Sequence, residues 1–512
     1  MISKCTDKHI IKIAGPGGGK TYSMIQDIKD RLNDLEPYRN LVVITYTNSA
    51  TEEIRSRLSK EIFIPDNVFI GTIHSFLIKF IVNPYSGIIL DEIPNDRIYT
   101  DYDLDSIKKL KGKEKNIVKK SITDRLKKKG LISFDEIINI SKNIIKDKET
   151  GPIVREKISK RIKYLFIDEY QDVCNSVFEI FEEIRKAKYT HIYCVGDPEQ
   201  YINSYRNNKI SKYENIPFLK TLNKSKQYEV IKQEDNYRSD KSIVSFINNF
   251  NCNLNQLSKN GIDNYPVLFI ENPGIESIIN EFKKIESSIY KGKDVSKFYI
   301  ADENKLVNKL KTHVDIESTS DEFDVSNGVS ICNEYIKKIS RLDSKVFMEK
   351  YNMSTIELRI LSMKIFKFLI KNKDISTIKK FIEDSTIINI SKDINFKSVT
   401  EETINKIIAK PKKGNHTTCT TIHKSKGLEA DIVLVVAKNN KELSKWLEVE
   451  KEKRYEDISK DVCRRGFVAF SRARELLVIS CEEGIDDDNK TVLQSLNVIE
   501  KDIFMSRYLE KA

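Results

Sequence analysis

Hydrophobic positions in this chain fall in short continuous runs, separated by longer stretches with helical spacing. Runs at 9–13, 41–45 and 68–71 come first, and two more follow at 164–167 and 192–195. A strand buried on both faces reads as such a run, because it lies in a parallel sheet covered by helices. Residues 81–152 are irregular, basic and helical by pattern. The first unit is therefore read as one α/β sheet (1–80 and 153–225) interrupted by a helical insertion at 81–152. The pattern restarts with runs at 267–270, 298–301, 418–421, 432–436 and 476–480. Between them, 311–414 is polar, rich in Lys and Ile and helical by spacing. This predicts a second α/β unit (226–310 and 415–512) with its own smaller insertion at 311–414. The fold class is α/β with two parallel-sheet domains, and no fixed-period repeat occurs.

The first apolar run leads directly into Ala14-Gly15-Pro16-Gly17-Gly18-Gly19-Lys20-Thr21. A phosphate needs backbone N–H groups aimed at it. Glycines let the chain curl closely enough to supply them, and a following helix adds the positive end of its dipole. In this pattern Lys20 reaches the β/γ-phosphates and the Thr21 hydroxyl ligates Mg²⁺. The usual loop starts with Gly six residues before the Lys; here that residue is Ala14. A second candidate is Asp168-Glu169-Tyr170-Gln171-Asp172, at the carboxyl end of the 164–167 run, where ligands sit in open α/β sheets. Asp168 suits a Mg²⁺ ligand and Glu169 a water-polarising base. An acidic helix start after a strand gives the same pattern; the phosphate loop upstream decides between them.

Composition narrows the class. The longest tight apolar run, 432–437, is a core strand, and no stretch approaches the roughly 18–20 residues of a membrane helix. Residues 1–13 carry no signal-peptide pattern, and eight scattered cysteines without a CxxC pair suit a reducing cytosol. Cytoplasmic location is expected, with neither a disulfide framework nor a metal cluster. The net charge is +11, from 87 Lys/Arg and 76 Asp/Glu. Residues 108–129 alone hold eleven Lys/Arg against Glu114 and Asp124, a surplus of +9. Val118, Ile122 and Leu126 give that window one apolar helix face. Taken alone it reads as a solvated lysine-rich surface; a phosphate-backbone track would need the same stripe.

The remaining segments are Thr45-Tyr46-Thr47-Asn48, Gly71-Thr72-Ile73-His74-Ser75-Phe76, Gly196-Asp197-Pro198-Glu199-Gln200 leading to Tyr205-Arg206, Asn236-Tyr237-Arg238-Ser239, Thr421-Ile422-His423-Lys424-Ser425-Lys426-Gly427-Leu428-Glu429 and Val468-Ala469-Phe470-Ser471-Arg472-Ala473-Arg474. In this order and spacing, across nearly the whole chain, they resemble superfamily-1 DNA helicases of the UvrD/Rep/PcrA type. The resemblance implies two RecA-like P-loop NTPase domains with helical insertions, ATP and Mg²⁺ as ligands, and single-stranded or duplex DNA as partner. It implies that Gln200 senses the γ-phosphate and the attacking water. Arg238 and Arg472 would clamp that phosphate from the second domain, an arginine fork matching phosphate oxygens. Tyr237 would stack on adenine and Glu429 approach the ribose. Tyr46 and Tyr205 would stack on bases, while Asn48, His74, Arg206, Thr421 and His423 would touch the DNA backbone or couple it to the nucleotide.

Three departures qualify these expectations. No glutamine precedes the phosphate loop, so the family's adenine-reading residue is missing. Tyr201-Ile202-Asn203 replaces the usual Ser-Ile-Tyr after Gln200. The acidic-Arg-Arg pattern before Val468 appears as Asp461-Val462-Cys463-Arg464-Arg465, out of register by one. A short stretch after Arg474 predicts no fused nuclease. That compactness is similar to the small helicase subunits of two-protein anti-phage systems such as Gabija, which implies a separate nuclease partner. The leading expectation is an ATP-dependent motor moving 3′ to 5′ on single-stranded DNA. The competing one is a DNA-stimulated ATPase that recruits or activates a nuclease with little unwinding.

Overall fold

The computed structural model describes residues 4–5, 7–88, 98–100, 114, 117–118, 120–121, 123–124, 131–203, 215–224, 226–260, 265–314, 325–342, 344–372, 374–385, 388–391, 394–408, 417–456 and 461–509. Most of the basic window at 108–129, together with Tyr205 and Arg206, lies outside them. The chain divides into two compact units, Met1–Asp315 with Thr417–Ala512, and Ile316–His416.

The larger unit is built on two six-stranded sheets. In the first, β1 (His9–Ala14), β2 (Asn40–Thr45), β3 (Val68–Thr72), β6 (Ile162–Ile167), β7 (His191–Gly196) and β8 (Tyr228–Gln233) lie in the order β3-β2-β6-β7-β1-β8, every pair parallel. Two short strands, β4 (Ile98–Thr100) and β5 (Leu131–Ser133), pair separately. The second sheet holds β11 (Leu268–Ile270), β12 (Lys297–Ala301), β13 (Thr417–Thr421), β14 (Ala430–Ala437), β15 (Ala473–Cys481) and β16 (Ile499–Glu500), in the order β13-β12-β14-β15-β11-β16, again all parallel. Between the sheets, β9 (Asp235–Asn236) and β10 (Leu257–Ser258) form a two-stranded ladder. The continuous apolar runs follow from helices on both faces: Val42 and Ile44 face one helical layer, Leu41 and Val43 the other, and all four are fully buried.

The packing moves three of the expected boundaries. The first sheet continues past 225, because β8 pairs with β1 along its whole length. The expected first insertion, 81–152, is partly core: Ile137, Ile140, Ile144 and Ile145 of the helix Phe134–Lys146 sit in the same cluster as Ile11, Val42 and Leu165. Residues 311–313 end the helix Asn304–His313, whose Leu310 is buried in the second sheet's core.

The smaller unit is helical, with segments Val325–Ser340, Ser344–Lys350, Thr355–Lys371, Ile375–Ser385 and Phe396–Ile408. Its own core gathers Tyr335, Ile336, Ile339, Phe347, Ile365 and Ile378. Ser354 and Glu357 cap the central helix reciprocally.

All eight cysteines are free thiols, five of them buried. The spacing of the cysteines gives no hint that Cys5, His9 and His191 bring ligand-type atoms within 4.8 Å of one another. Backbone groups already occupy one nitrogen on each ring: His191 Nε2 donates to the Lys8 carbonyl, and His9 Nδ1 accepts the Ile192 amide at 3.3 Å. Among the described residues no helix is long and apolar enough to cross a membrane.

Candidate nucleotide site

The carboxyl edge of the first sheet collects the candidate residues. β1 ends at the fully buried Ala14 and passes into the glycine loop, and the helix Lys20–Leu32 starts at Lys20. Gly17 and Gly19 adopt φ +67° and +69°, the left-handed region that a Cβ disfavours. A Cβ on Gly17 would meet Arg238 Cβ and Asn236 Oδ1 at 2.6 Å, and one on Gly15 the Gln256 side chain at 2.6 Å. The loop is thus a glycine cradle pressed against the segment after β8. Asn236 holds it there: its amide donates to the Pro16 carbonyl at 2.9 Å, and its Oδ1 accepts the Arg238 and Ser239 amides at 2.9 and 3.0 Å. Gln256 also donates to Pro16 O (3.1 Å), Gln233 to Gly18 O, and the Tyr237 amide to Gly17 O (2.9 Å).

Asp168 and Glu169 leave β6 beside this cradle. Burial and the neighbouring Glu169 raise the Asp168 carboxyl above its usual range, with Lys20 opposing them. Burial also works to raise Glu169, but Lys20, then Lys426, a hydrogen bond from Gln171 and Arg472 outweigh it and hold Glu169 ionised. Glu169 itself has φ +47°. That conformation costs a residue with a Cβ roughly 1–2 kcal/mol, and such strain clusters at functional sites. Gln171 ties this turn to the next strand: its Nε2 bonds Glu169 and its Oε1 accepts the Asp197 amide at 3.1 Å. Gln200 follows β7 in a short turn and donates to Asp197 Oδ2 at 2.8 Å. Asp197 is pushed up to about 6 by burial, with Lys20 opposing.

The opposite wall comes from the second sheet. Arg472 is buried, bonded to the carbonyls of Val468 (2.9 Å) and Leu428 (3.3 Å) and to Ser471 Oγ (3.0 Å). Burial, and Arg238 beside it, bring its guanidinium down to about 9, while Glu169 and Asp197 across the cleft oppose that fall. Arg238 meets Glu429 at 2.5 Å and the Ser471 carbonyl at 3.0 Å. Glu429 also receives Arg474 at 2.7 Å, so the carboxylate is shared between two arginines. Lys426 reaches back to Asp172 (2.5 Å) and to the Gln200 carbonyl (3.2 Å).

These residues fit a Mg-nucleoside triphosphate. The cradle has no room for a Cβ at Gly15 or Gly17, Lys20 and Thr21 open the following helix, and the buried Asp168 with the half-buried Glu169 supplies oxygen donors that favour a hard cation.

Residues 2–111 and 89–217 match the UvrD/REP helicase N-terminal domain. Over its first 217 residues the chain is similar to UvrD/REP helicases. It is 28% identical over 280 residues to the ATP-dependent DNA helicase Rep of Buchnera aphidicola subsp. Schizaphis graminum, covering 46% of this chain and 41% of that protein. It is 24% identical over 349 residues to the ATP-dependent DNA helicase PcrA of Staphylococcus aureus strain Mu50, covering 58% and 46%. The matched stretches span less than half the length of these relatives.

The positions that the UvrD-like resemblance assigns to DNA lie at strand ends. Tyr46 and Asn48 follow β2, the first half-buried and the second exposed, and the half-buried His74 follows β3. Thr421 is buried and caps the next helix through the Lys424 amide at 3.4 Å. His423 donates to the Ile202 carbonyl at 3.0 Å, which turns it toward the first lobe. Tyr201 is fully buried and Asn203 bonds Asp172 at 2.9 Å, so neither offers a free stacking face. The displaced arginines divide: Arg464 pairs locally with Asp461 at 2.8 Å, and Arg465 with the distant Asp302 at 2.6 Å.

Several members of the site had no assigned role in sequence. Tyr22, 63% exposed and directly after Thr21, lies within electrostatic reach of Tyr237, itself 56% exposed. Gln171, Asn236 and Lys426 stood inside the recognised segments, but only packing shows what they bond. Gln233 and Gln256 have no motif signal at all.

Proposed function

We propose that this chain is an ATP-dependent DNA helicase or translocase that moves 3′ to 5′ on single-stranded DNA. The single observation that carries the reading is the position of Glu169, 3.9 Å from Lys426 of the other lobe and within the pull of Lys20 of its own. A base held ionised between cations from two separate sheets suits hydrolysis that proceeds when the crevice is closed. In this reading Gly15, Gly17, Gly18, Gly19 and Lys20 hold the phosphates, and Thr21 and Asp168 hold Mg²⁺. Bound Mg²⁺ supplies neutralisation of phosphate charge. Glu169 accepts a proton from the attacking water, Gln200 orients that water, and Arg238 and Arg472 stabilise charge on the transferred group. Tyr237 faces the base, with Tyr22 as a second aromatic in reach, and Glu429 lies toward the ribose.

DNA is expected over the strand ends carrying Tyr46, Asn48 and His74 and near Thr421 and His423, with Tyr205 and Arg206 as further contacts. The names of the relatives support DNA as substrate, and the family resemblance supports the direction. A role as motor subunit of an anti-phage complex with a nuclease partner rests on the resemblance of the Asp168-Glu169-Tyr170-Gln171-Asp172 segment to the helicase subunits of such systems. The test is ATP turnover with and without single-stranded DNA, beside unwinding of fluorescent duplexes with a 3′ or a 5′ tail. Stimulated turnover with unwinding from the 3′ tail is the expected result; no stimulation by DNA overturns the reading. Stimulated turnover without unwinding selects the sensor role, which the loss of the stacking aromatic near Tyr201 favours.

A further inference from the structure

Five consecutive residues after β7 are gripped one by one, four of them by side chains from beyond β8. Glu199 accepts Asn253 Nδ2 at 3.1 Å and Arg454 Nη2 at 3.4 Å. The Gln200 carbonyl accepts Lys426 at 3.2 Å, the Tyr201 carbonyl Arg464 Nε at 2.9 Å, and the Ile202 carbonyl His423 at 3.0 Å. Asn203 donates to Asp172, the same carboxylate that Lys426 holds. The side chains divide as well: Tyr201 enters the first sheet's core and its neighbour Ile202 the second sheet's core. Here the two lobes meet within one dipeptide.

The Glu199–Arg454 pair is the unusual member. Both side chains are 0% exposed. Arg454 Nη1 donates to the Glu448 carbonyl at 2.9 Å, its guanidinium lies 5.7 Å from the Phe250 ring centroid, and its own carbonyl accepts Arg464 Nη1 at 3.4 Å. On the same helix, Lys451–Glu456, Tyr455 packs against the first core. A single 3.4 Å approach between buried charges returns little of their desolvation cost, so stability is a poor reason for the pair to exist. Registry is a better one. Glu199 immediately precedes Gln200 in a turn fixed by Asp197, which accepts both the Glu199 amide at 3.0 Å and the Gln200 side chain. A shift of Arg454 therefore moves the backbone that aims Gln200.

We propose that Arg454 is a positioning residue: through Glu199 it sets the turn that orients Gln200, and so makes the hydrolytic edge of the first lobe answer to the second. This rests on the ATP-hydrolysis reading above. The test uses the full chain with saturating oligo(dT) and compares Arg454→Gln, Arg454→Lys, Glu199→Gln and the double variant Glu199→Gln/Arg454→Gln, each melted to measure the folded fraction. The expected result is kcat lower by about tenfold with KM for ATP within about twofold, since small misplacement of an orienting group costs rate rather than binding. Arg454→Lys recovers part of the loss, and the double variant is no worse than either single one. A raised KM at unchanged kcat, losses that add, or losses equal to the unfolded fraction overturn the proposal. Where a lone buried charge unfolds a single variant, the double variant decides: folded with wild-type kcat, it overturns the proposal. Wild-type chain without DNA-stimulated turnover would instead overturn the hydrolysis reading and this inference with it.

Discussion

The Asn236 side-chain amide donates to the Pro16 carbonyl at 2.9 Å across 220 residues of sequence. Its oxygen accepts the amides of Arg238 and Ser239, so one buried side chain shapes the phosphate loop and the segment that leads to Arg238. Asn236→Ala leaves those buried groups unpartnered, which costs roughly 1–3 kcal/mol per group that stays dry. The expected outcome is a lower urea midpoint together with weaker binding of a fluorescent ATP analogue. Weaker binding at unchanged stability would mean the groups find water.

Lys20→Ala removes the charge that does most to hold Glu169 ionised, but no bond that holds the helix Lys20–Leu32 together. Hydrolysis should fall by at least about a hundredfold, as expected for loss of a charge aimed at developing negative charge. The melting temperature should stay close to that of the parent. Retained turnover would remove the phosphate-loop assignment.

Arg472→Ala should bind ATP nearly normally yet hydrolyse it about a thousandfold more slowly, the scale seen when an arginine clamp is removed from phosphoryl transfer. Single-turnover rates beside equilibrium binding separate the two effects. Because Arg472 also bonds Val468 and Leu428 carbonyls, loss of binding would reveal a structural role.

Replacing several lysines in 108–129 by glutamine should weaken single-stranded DNA binding and flatten its salt dependence. For every DNA phosphate that is no longer neutralised, the slope of log K against log salt should shrink by about 0.7. An unchanged slope would make the window an ordinary solvated surface.

Acid should destabilise the chain through His9. Burial and the neighbouring His191 lower its imidazole to about 3, against about 6.5 for an unperturbed histidine. Below pH 6.5 the unfolded chain takes up a proton that the folded chain refuses, so stability falls as pH drops from 6.5 toward 3. The slope approaches about 1.4 kcal/mol per pH unit for one proton. Above about pH 6.5 this group adds no pH dependence. Urea midpoints at pH 7.5, 6 and 5 should fall more steeply for the parent than for His9→Gln. Parallel curves would show that His9 does not carry the effect.

The central strands were legible because burial on both faces leaves a run such as Leu41–Ile44 or Ile432–Ala437 with no polar interruption. β8 was not, because an edge strand keeps one side in water: Tyr228-Glu229-Val230-Ile231-Lys232-Gln233 mixes exposed and buried positions without a clean period. The phosphate loop and the acidic pair were legible as local chemistry. Residues such as Arg454 and Gln256 were not, since nothing near them in sequence records partners 255 and 240 residues away. Tyr22 escaped for another reason: beside Lys20 and Thr21 it reads as one more helix residue, and only its exposure next to Tyr237 sets it apart.

β8 also guards its neighbour. β1 pairs with β7 on one side and with β8 on the other. A fragment ended at residue 225 would leave the outer ladder of β1 bare, and a flat apolar edge invites strands from other molecules. Self-association of such a fragment would begin at the strand that carries the glycine loop, whereas a fragment extended through Gln233 would keep that ladder covered.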